Sequence, residues 1–231
     1  MMERKRVIDF EEVRRLMART TGDEKHEESS ISTLSALCVL YGQVLHVDPS
    51  NPGWPERDRF ILSKGHGPVA YYAILAHSGF FPTAWLDDFR GWGGRLGSHP
   101  DRSLIPGVEA CTGSLGHGLP MAVGVALGLR AKGLTKQRVV VLTGDAELNE
   151  GSNWEAILLA PTLCLDNLTL LVIDNHSSHL RMQPWDSKLE SFGWSVKLVD
   201  GNDHEALEAA LSLRDPNRPT CVVANIPEGE G

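Results

Sequence analysis

The chain has 231 residues, with 22 basic and 30 acidic side chains and a formal charge of −8 when histidines are neutral. Such an acidic balance disfavours nucleic acid and anionic membrane as partners, and 42% hydrophobic content is ample for a packed core. Gly and Pro together make 36 residues (23 + 13), below the roughly 25% that marks low-complexity chains, and no apolar run nears the roughly 20 residues that span a bilayer.

The start, Met-Met-Glu-Arg-Lys-Arg, leads into an amphipathic acidic stretch and not an apolar signal core, so a cytoplasmic location is expected. Cys38, Cys111, Cys164 and Cys221 are widely spaced with no CxxC pair, which fits reduced thiols better than a disulfide frame or a zinc site.

Asp9 with Glu12 reads as a capping box, opening a helix with Phe10, Val13, Leu16 and Met17 on one face and Gly22 as its stop. Ile31, Leu34, Cys38, Tyr41 and Leu45 repeat at helical spacing and predict a second helix, and 48–59 reads as a loop. Phe60 to Ser63 is a short strand, and Pro68, at a first helical position, opens a helix from Val69 to Ala76. Eight glycines lie between 91 and 118, where backbone and not side chains must carry the function. A small-residue helix is expected over 119–131, strands over 138–143, 168–174, 195–199 and 219–226, and helices near 153–159 and over 204–213. Strand and helix alternate, and no linker or repeat interrupts them. The expectation is one α/β domain over 1–231, a doubly wound parallel sheet flanked by helices.

If the strands ending at Asp145 and Asn175 are neighbours, a carboxylate and an amide oxygen meet at the carboxyl edge, where open α/β sheets bind ligands. Two hard oxygens carrying one charge suit Mg²⁺ that is also held by phosphates. By themselves the two residues read equally as turn formers. An EF-hand loop starting at Asp145 fails, because Glu150 stands where Gly is needed and Ala156 where Glu is needed.

The run Gly144-Asp-Ala-Glu-Leu-Asn-Glu-Gly, followed by Asp174-Asn175, resembles the thiamine-diphosphate signature of transketolases, a GDG with an Asn about thirty residues on. Asp145 and Asn175 are 30 apart. Further motifs extend the likeness in order: Arg59-Phe-Ile-Leu-Ser-Lys-Gly-His66, Gly97-Ser-His99-Pro, Pro106 to Gly118, and Phe192-Gly-Trp through Gly201-Asn-Asp-His-Glu-Ala-Leu207. The likeness is to the amino-terminal half of a transketolase and implies the thiamine-diphosphate-binding fold.

By position, the resemblance implies Asp145, Asn175 and the carbonyl of Ser177 as Mg²⁺ ligands. Backbone groups around Gly113, Ser114 and Leu115, and at Gly144, Ala146 and Glu147, would bind thiamine diphosphate together with His66. Ala146 replaces the family's usual Gly and is tolerable only if φ is negative and the phosphate is not in van der Waals contact. His26, His66 and His99 match the family's active-site histidines, which position donor hydroxyls and relay protons. Glu150 matches a carboxylate that connects two active sites near the subunit interface, or is a helix-start acid favoured by the macrodipole. His117 reads as structural, His176 and His179 as loop, and Glu109 stays unassigned.

The family's second essential glutamate comes from the pyrimidine-binding domain. The expectation is therefore a separate carboxy-terminal subunit in an α2β2 assembly acting on a small ketose-like sugar. Glu27 and Glu28 beside the first histidine point to a weakly anionic donor. Two other readings are a decarboxylating acyl transfer from a 2-oxo acid and a noncatalytic assembly subunit.

Overall fold

The computed structural model describes residues 6–20, 27–180 and 182–227. Among these, five strands, β1 (Arg59–Leu62), β2 (Val139–Gly144), β3 (Leu168–Asp174), β4 (Ser195–Asp200) and β5 (Thr220–Asn225), form one parallel sheet in the order β1-β2-β3-β5-β4. The helices are α1 (Phe10–Met17), α2 (Glu27–Val39), α3 (Val69–His77), α4 (Gly118–Ala131), α5 (Gly151–Thr162), α6 (Trp185–Ser191) and α7 (His204–Ser212).

The inner strands read as unbroken apolar runs because both faces are covered. Val140 and Leu142, with Leu171, Ile173, Val222 and Ala224, point into a core closed by α1, α2, α3 and α7. Val139 and Val141, with Leu168, Leu170, Val172 and Val223, point into the opposite core against α4, α5 and α6. Successive side chains alternate faces, so one valine run feeds two cores. This is the doubly wound arrangement expected of the alternating pattern. Trp194 is fully buried in the second core and donates Nε1–H to Ile157 O at 2.8 Å, so its bulk carries no unpaired polar group.

α1 is capped as its sequence directs, Asp9 Oδ1 accepting from Glu12 N–H at 3.0 Å, a bond worth ~1 kcal/mol. It ends at Met17, ahead of Gly22, which lies outside the described residues. α2 does not run on unbroken to Leu45. It passes at Leu40 into a π-turn closed by Leu45 N–H to Leu40 O. Pro68 is the residue before α3, not its first. β1 starts one residue earlier than expected, drawing Arg59 out of the preceding loop to pair with Val139. α6 and two short 3₁₀ turns, Thr83–Asp88 and Ala146–Asn149, were not anticipated. No described helix is long and apolar enough to cross a membrane.

Because the strands are parallel, their carboxyl ends share one edge. Ser63 follows β1, Asp145 follows β2 and Asn175 follows β3. Gly144 pairs with Ile173, and Asp145 N–H continues the ladder to Ile173 O at 3.0 Å.

Candidate functional site

Asp145 is fully buried at the sheet edge. Its Oδ1 accepts from the Ser177 hydroxyl at 2.6 Å and its Oδ2 from the Ser178 N–H at 2.9 Å, so the loop after β3 folds across the end of β2. Each carboxylate oxygen keeps a second lone pair. Asn175 is half-buried, and its Oδ1 is enclosed with no hydrogen-bond partner. An enclosed amide oxygen without a donor is costly unless something else satisfies it. A fully buried carboxylate on the neighbouring strand and this orphaned oxygen are the hard-oxygen donor set that Mg²⁺ takes when phosphates and water complete its shell, so the residues present fit the ion.

At the same sheet edge the backbone approaches neighbouring segments closely. Gly113 has φ +134°, and a Cβ there would lie 2.3 Å from His99 Cδ2, so the chain crosses the imidazole with no room for a side chain. A Cβ on Gly65 would lie 2.5 Å from Thr112 Oγ1 and 2.8 Å from Gly113 N. The Lys-Gly-His and Ser-His-Pro motifs therefore converge on the Gly113 turn, bringing His66 and His99 to it. His66 is half-buried and His99 exposed. Ser114 is exposed and Leu115 half-buried. His26 lies outside the described residues, as do the side chains of Glu27 and Glu28.

Ala146 opens the 3₁₀ turn with negative φ, which meets the backbone condition for its methyl group. Glu147 turns into the interior, where its Oε1 accepts from the Ser63 hydroxyl at 2.5 Å and from Gly116 N–H at 3.0 Å. Burial pushes its carboxyl up, against the opposing pull of Ser63 and the Gly116 amide. Glu150 is exposed at the start of α5 and packs its Cβ against the Gly116 turn. Ser177 is exposed apart from its bond to Asp145.

Sequence reasoning missed Lys64. Its stem crosses Gly144, where a Cβ would lie 3.3 Å from Lys64 Cδ, and Nζ donates to Ser32 Oγ at 3.1 Å. Burial pulls the ammonium down to about 8, and the Asp145 and Glu147 carboxylates pull the other way. A cation is thus stored under the acidic sheet edge. The available signal was a lysine two residues past a four-residue buried strand, a place where a charge is seldom left unpaired. Also missed was Asp174, whose Oδ2 accepts from Trp185 Nε1 at 2.6 Å and Gln183 Nε2 at 3.2 Å, pinning the far end of the loop that begins at Asn175.

Glu109 finds its partner in Arg57, with bonds of 2.7 and 2.8 Å from Nε and Nη2. His117 Nδ1 lies 3.1 Å from Leu115 O, a local contact. His176 and His179 are exposed, and among the described residues no three His, Cys, Asp or Glu are grouped to hold a metal.

Comparison with known proteins matches residues 5–229 to the family described as transketolase, thiamine diphosphate binding domain. The chain is 44% identical over 220 residues to a protein called ferredoxin fas2 from Rhodococcoides fascians, covering 95% of this chain and 72% of that one. It is 42% identical over 217 residues to one of the subunits of the apulose-4-phosphate transketolase of Actinobacillus succinogenes, covering 89% and 77%. A 6-deoxy-6-sulfo-D-fructose transketolase subunit from a Clostridium species is 37% identical over 215 residues, covering 89% and 78%. The solved transketolase of Leishmania mexicana superposes with a TM-score of 0.76 at 28% identity, covering 89% of this chain but only 37% of that one. The chain thus spans little more than a third of the solved transketolase.

Proposed function

This chain belongs to the transketolase family, as its thiamine diphosphate binding domain, and from that premise we propose that it is the diphosphate-binding subunit of a two-component enzyme. The reaction is transfer of a two-carbon ketol unit from a ketose donor to an aldehyde acceptor. The observation that carries this is the partnerless, enclosed Asn175 Oδ1 beside the buried Asp145 carboxylate, at neighbouring ends of parallel strands.

In this reading Asp145 and Asn175 hold Mg²⁺, with the Ser177 carbonyl as third protein ligand, and the residues around Gly113, Ser114, Leu115, Gly144 and Ala146 receive the cofactor through their backbone. Thiamine diphosphate, when bound, supplies the nucleophilic thiazolium carbon and the electron sink that the side chains lack. His66 and His99, drawn together at the Gly113 turn, hold donor hydroxyls and exchange protons with them, with His26 completing the set. Glu150, exposed at the head of α5, is free to meet a partner chain.

Two relatives are named as subunits of transketolases, which supports a separate partner carrying the pyrimidine-binding half in an α2β2 assembly. Residues 1–231 act as one domain of it. Four cysteines without a disulfide accord with a cytoplasmic enzyme. The chain with its partner, given thiamine diphosphate and Mg²⁺, should form ketol-transfer product from hydroxypyruvate and none from pyruvate. Equal turnover of pyruvate would select decarboxylating acyl transfer instead, and no cofactor binding by calorimetry would leave the chain a noncatalytic component of the assembly. Comparing phosphorylated with unphosphorylated ketoses tests the weakly anionic donor expected from Glu27 and Glu28.

A further inference from the structure

Gly116 is held through both of its peptide groups. Gly116 N–H donates to Glu147 Oε1 at 3.0 Å, and Gly116 O accepts from the Ser152 hydroxyl at 2.7 Å. The same Glu147 oxygen accepts from the Ser63 hydroxyl at 2.5 Å, and Ser63 Oγ in turn accepts from Gly118 N–H at 3.0 Å. One carboxylate oxygen therefore ties together the tip of β1, the 3₁₀ turn behind Asp145 and the glycine-rich turn that begins at Gly113.

The turn has no slack. Gly116 sits at φ +82°, and a Cβ there would lie 2.6 Å from both Glu150 Cβ and Ser152 Oγ. A Cβ on Gly118 would lie 2.2 Å from Ser63 Oγ. Glu147 itself is 1% exposed, enclosed beneath the turn, and its Oε2 accepts from nothing.

We propose that Glu147 is a positioning residue for thiamine diphosphate, setting the Gly113–Leu115 turn through Gly116 N–H without touching the cofactor. This rests on the functional reading above. It replaces the contact role that the signature implies for Glu147 with a role through the neighbouring backbone. What the clamp on Gly116 requires is an oxygen acceptor, whereas the negative charge of Glu147 acts on the Lys64 ammonium. Glutamine supplies that oxygen, and its NH₂ would stand where Oε2 holds no hydrogen bond that could be lost.

The test is amide hydrogen exchange on the cofactor-free chain, read by NMR, together with calorimetric binding of thiamine diphosphate and Mg²⁺ by the chain with its partner. In Glu147→Ala the Gly116 amide should exchange at least tenfold faster while amides in the middle of β3 keep their protection, and the cofactor Kd should rise about tenfold. Glu147→Gln should stay within about threefold of wild type on both measures. Ser63→Ala should release Gly118 and leave Gly116 protected. Gln impaired as much as Ala in cofactor affinity would overturn the proposal, because the charge would then matter. Unchanged Gly116 exchange in the Ala variant would overturn it too. If Glu147→Ala does not fold, Glu147→Gln decides by the same threefold limit. Wild-type chain that binds no thiamine diphosphate even with its partner present, with Gly116 exchange responding as stated, would sink the functional reading and leave the backbone clamp standing.

Discussion

Ser177 donates its hydroxyl to Asp145 across the ends of two neighbouring strands, at 2.6 Å, so the side chain that would hold a metal also orders the loop beside it. Asn175, two residues earlier, offers an amide oxygen that nothing in the described protein engages. The two residues therefore separate in a way that can be measured. In cofactor-free protein Asp145→Asn trades one acceptor oxygen for a donor and should destabilise by ~1–3 kcal/mol. Asn175→Ala removes an oxygen that forms no bond and should cost less than about 1 kcal/mol. With thiamine diphosphate and Mg²⁺ at a hundredfold excess over Kd, wild type gains about 2.7 kcal/mol, and both variants should lose most of that gain. Urea midpoints with and without the ligands give all five numbers. A full ligand-induced shift in Asn175→Ala would remove Asn175 from the site.

Arg57 and Glu109 form a bidentate pair whose side chains are only 15% and 14% exposed, joining the loop before β1 to the loop that leads into Gly113. Tyr71 Oη anchors the same loop by donating to Gly107 O at 3.2 Å. Breaking a largely enclosed pair from one side leaves an uncompensated charge. Glu109→Ala should therefore destabilise by ~2–4 kcal/mol, and an Arg57→Met, Glu109→Leu double variant should recover part of the loss. Denaturant midpoints at constant slope check this. A double variant worse than the single one would mean that the pair contributes more than its own desolvation.

What could be read beforehand follows from where each signal resides. β3 was bounded correctly at both ends because a buried parallel strand is mostly apolar, here Leu168 to Ile173 apart from Thr169, and it closes on the polar Asp174 before Asn175. α1 was legible from Asp9 and Glu12 because a cap is a local bond. α6 was not, since Trp185 and Leu189 alone mark its buried face within seven residues. A 3₁₀ turn of four residues, as at Ala146–Asn149, leaves no periodicity at all. The burial of Ser63, Lys64 and Glu147 was hidden for another reason. It arises only when Gly116 and Gly118 fold back onto the tip of β1, an encounter between segments 55 residues apart. Motif resemblance offered candidate site residues, whereas the turn of Glu147 away from them toward Ser63 and Gly116 needed coordinates.

Cysteine reactivity should split the four thiols evenly. Cys38 is buried and burial pushes its thiol up to about 12, and Cys221 is pushed up further in the second core. Cys111 and Cys164 are exposed. The thiolate is the reactive form. At about pH 8 a disulfide reagent should titrate two groups in the native protein and four in denaturant. Reaction of three or more in native buffer would show that one of the cores opens on the timescale of the assay.

Asp58 offers a pH test far from the carboxyl edge. It sits at the opposite end of the sheet, accepting from His46 N–H and Arg138 N–H at 2.9 Å each, and so pins the loop before β1 to the start of β2. Burial raises its carboxyl above the ordinary 3.8 and outweighs those two amides, which act to lower it. A raised folded value means that the folded state binds the proton more tightly than the unfolded chain does. The stability that this group contributes is then fully present below about pH 3.8 and is lost as pH climbs through the folded value. Asp58→Asn cannot titrate there. The free-energy difference between wild type and variant, from urea midpoints taken between about pH 3 and pH 7, should therefore be most favourable to wild type at the acid end, shrink as pH rises, and then level off. A difference that grows with pH would show that the two backbone amides win over burial and that the carboxylate, not the acid, is the form the fold selects.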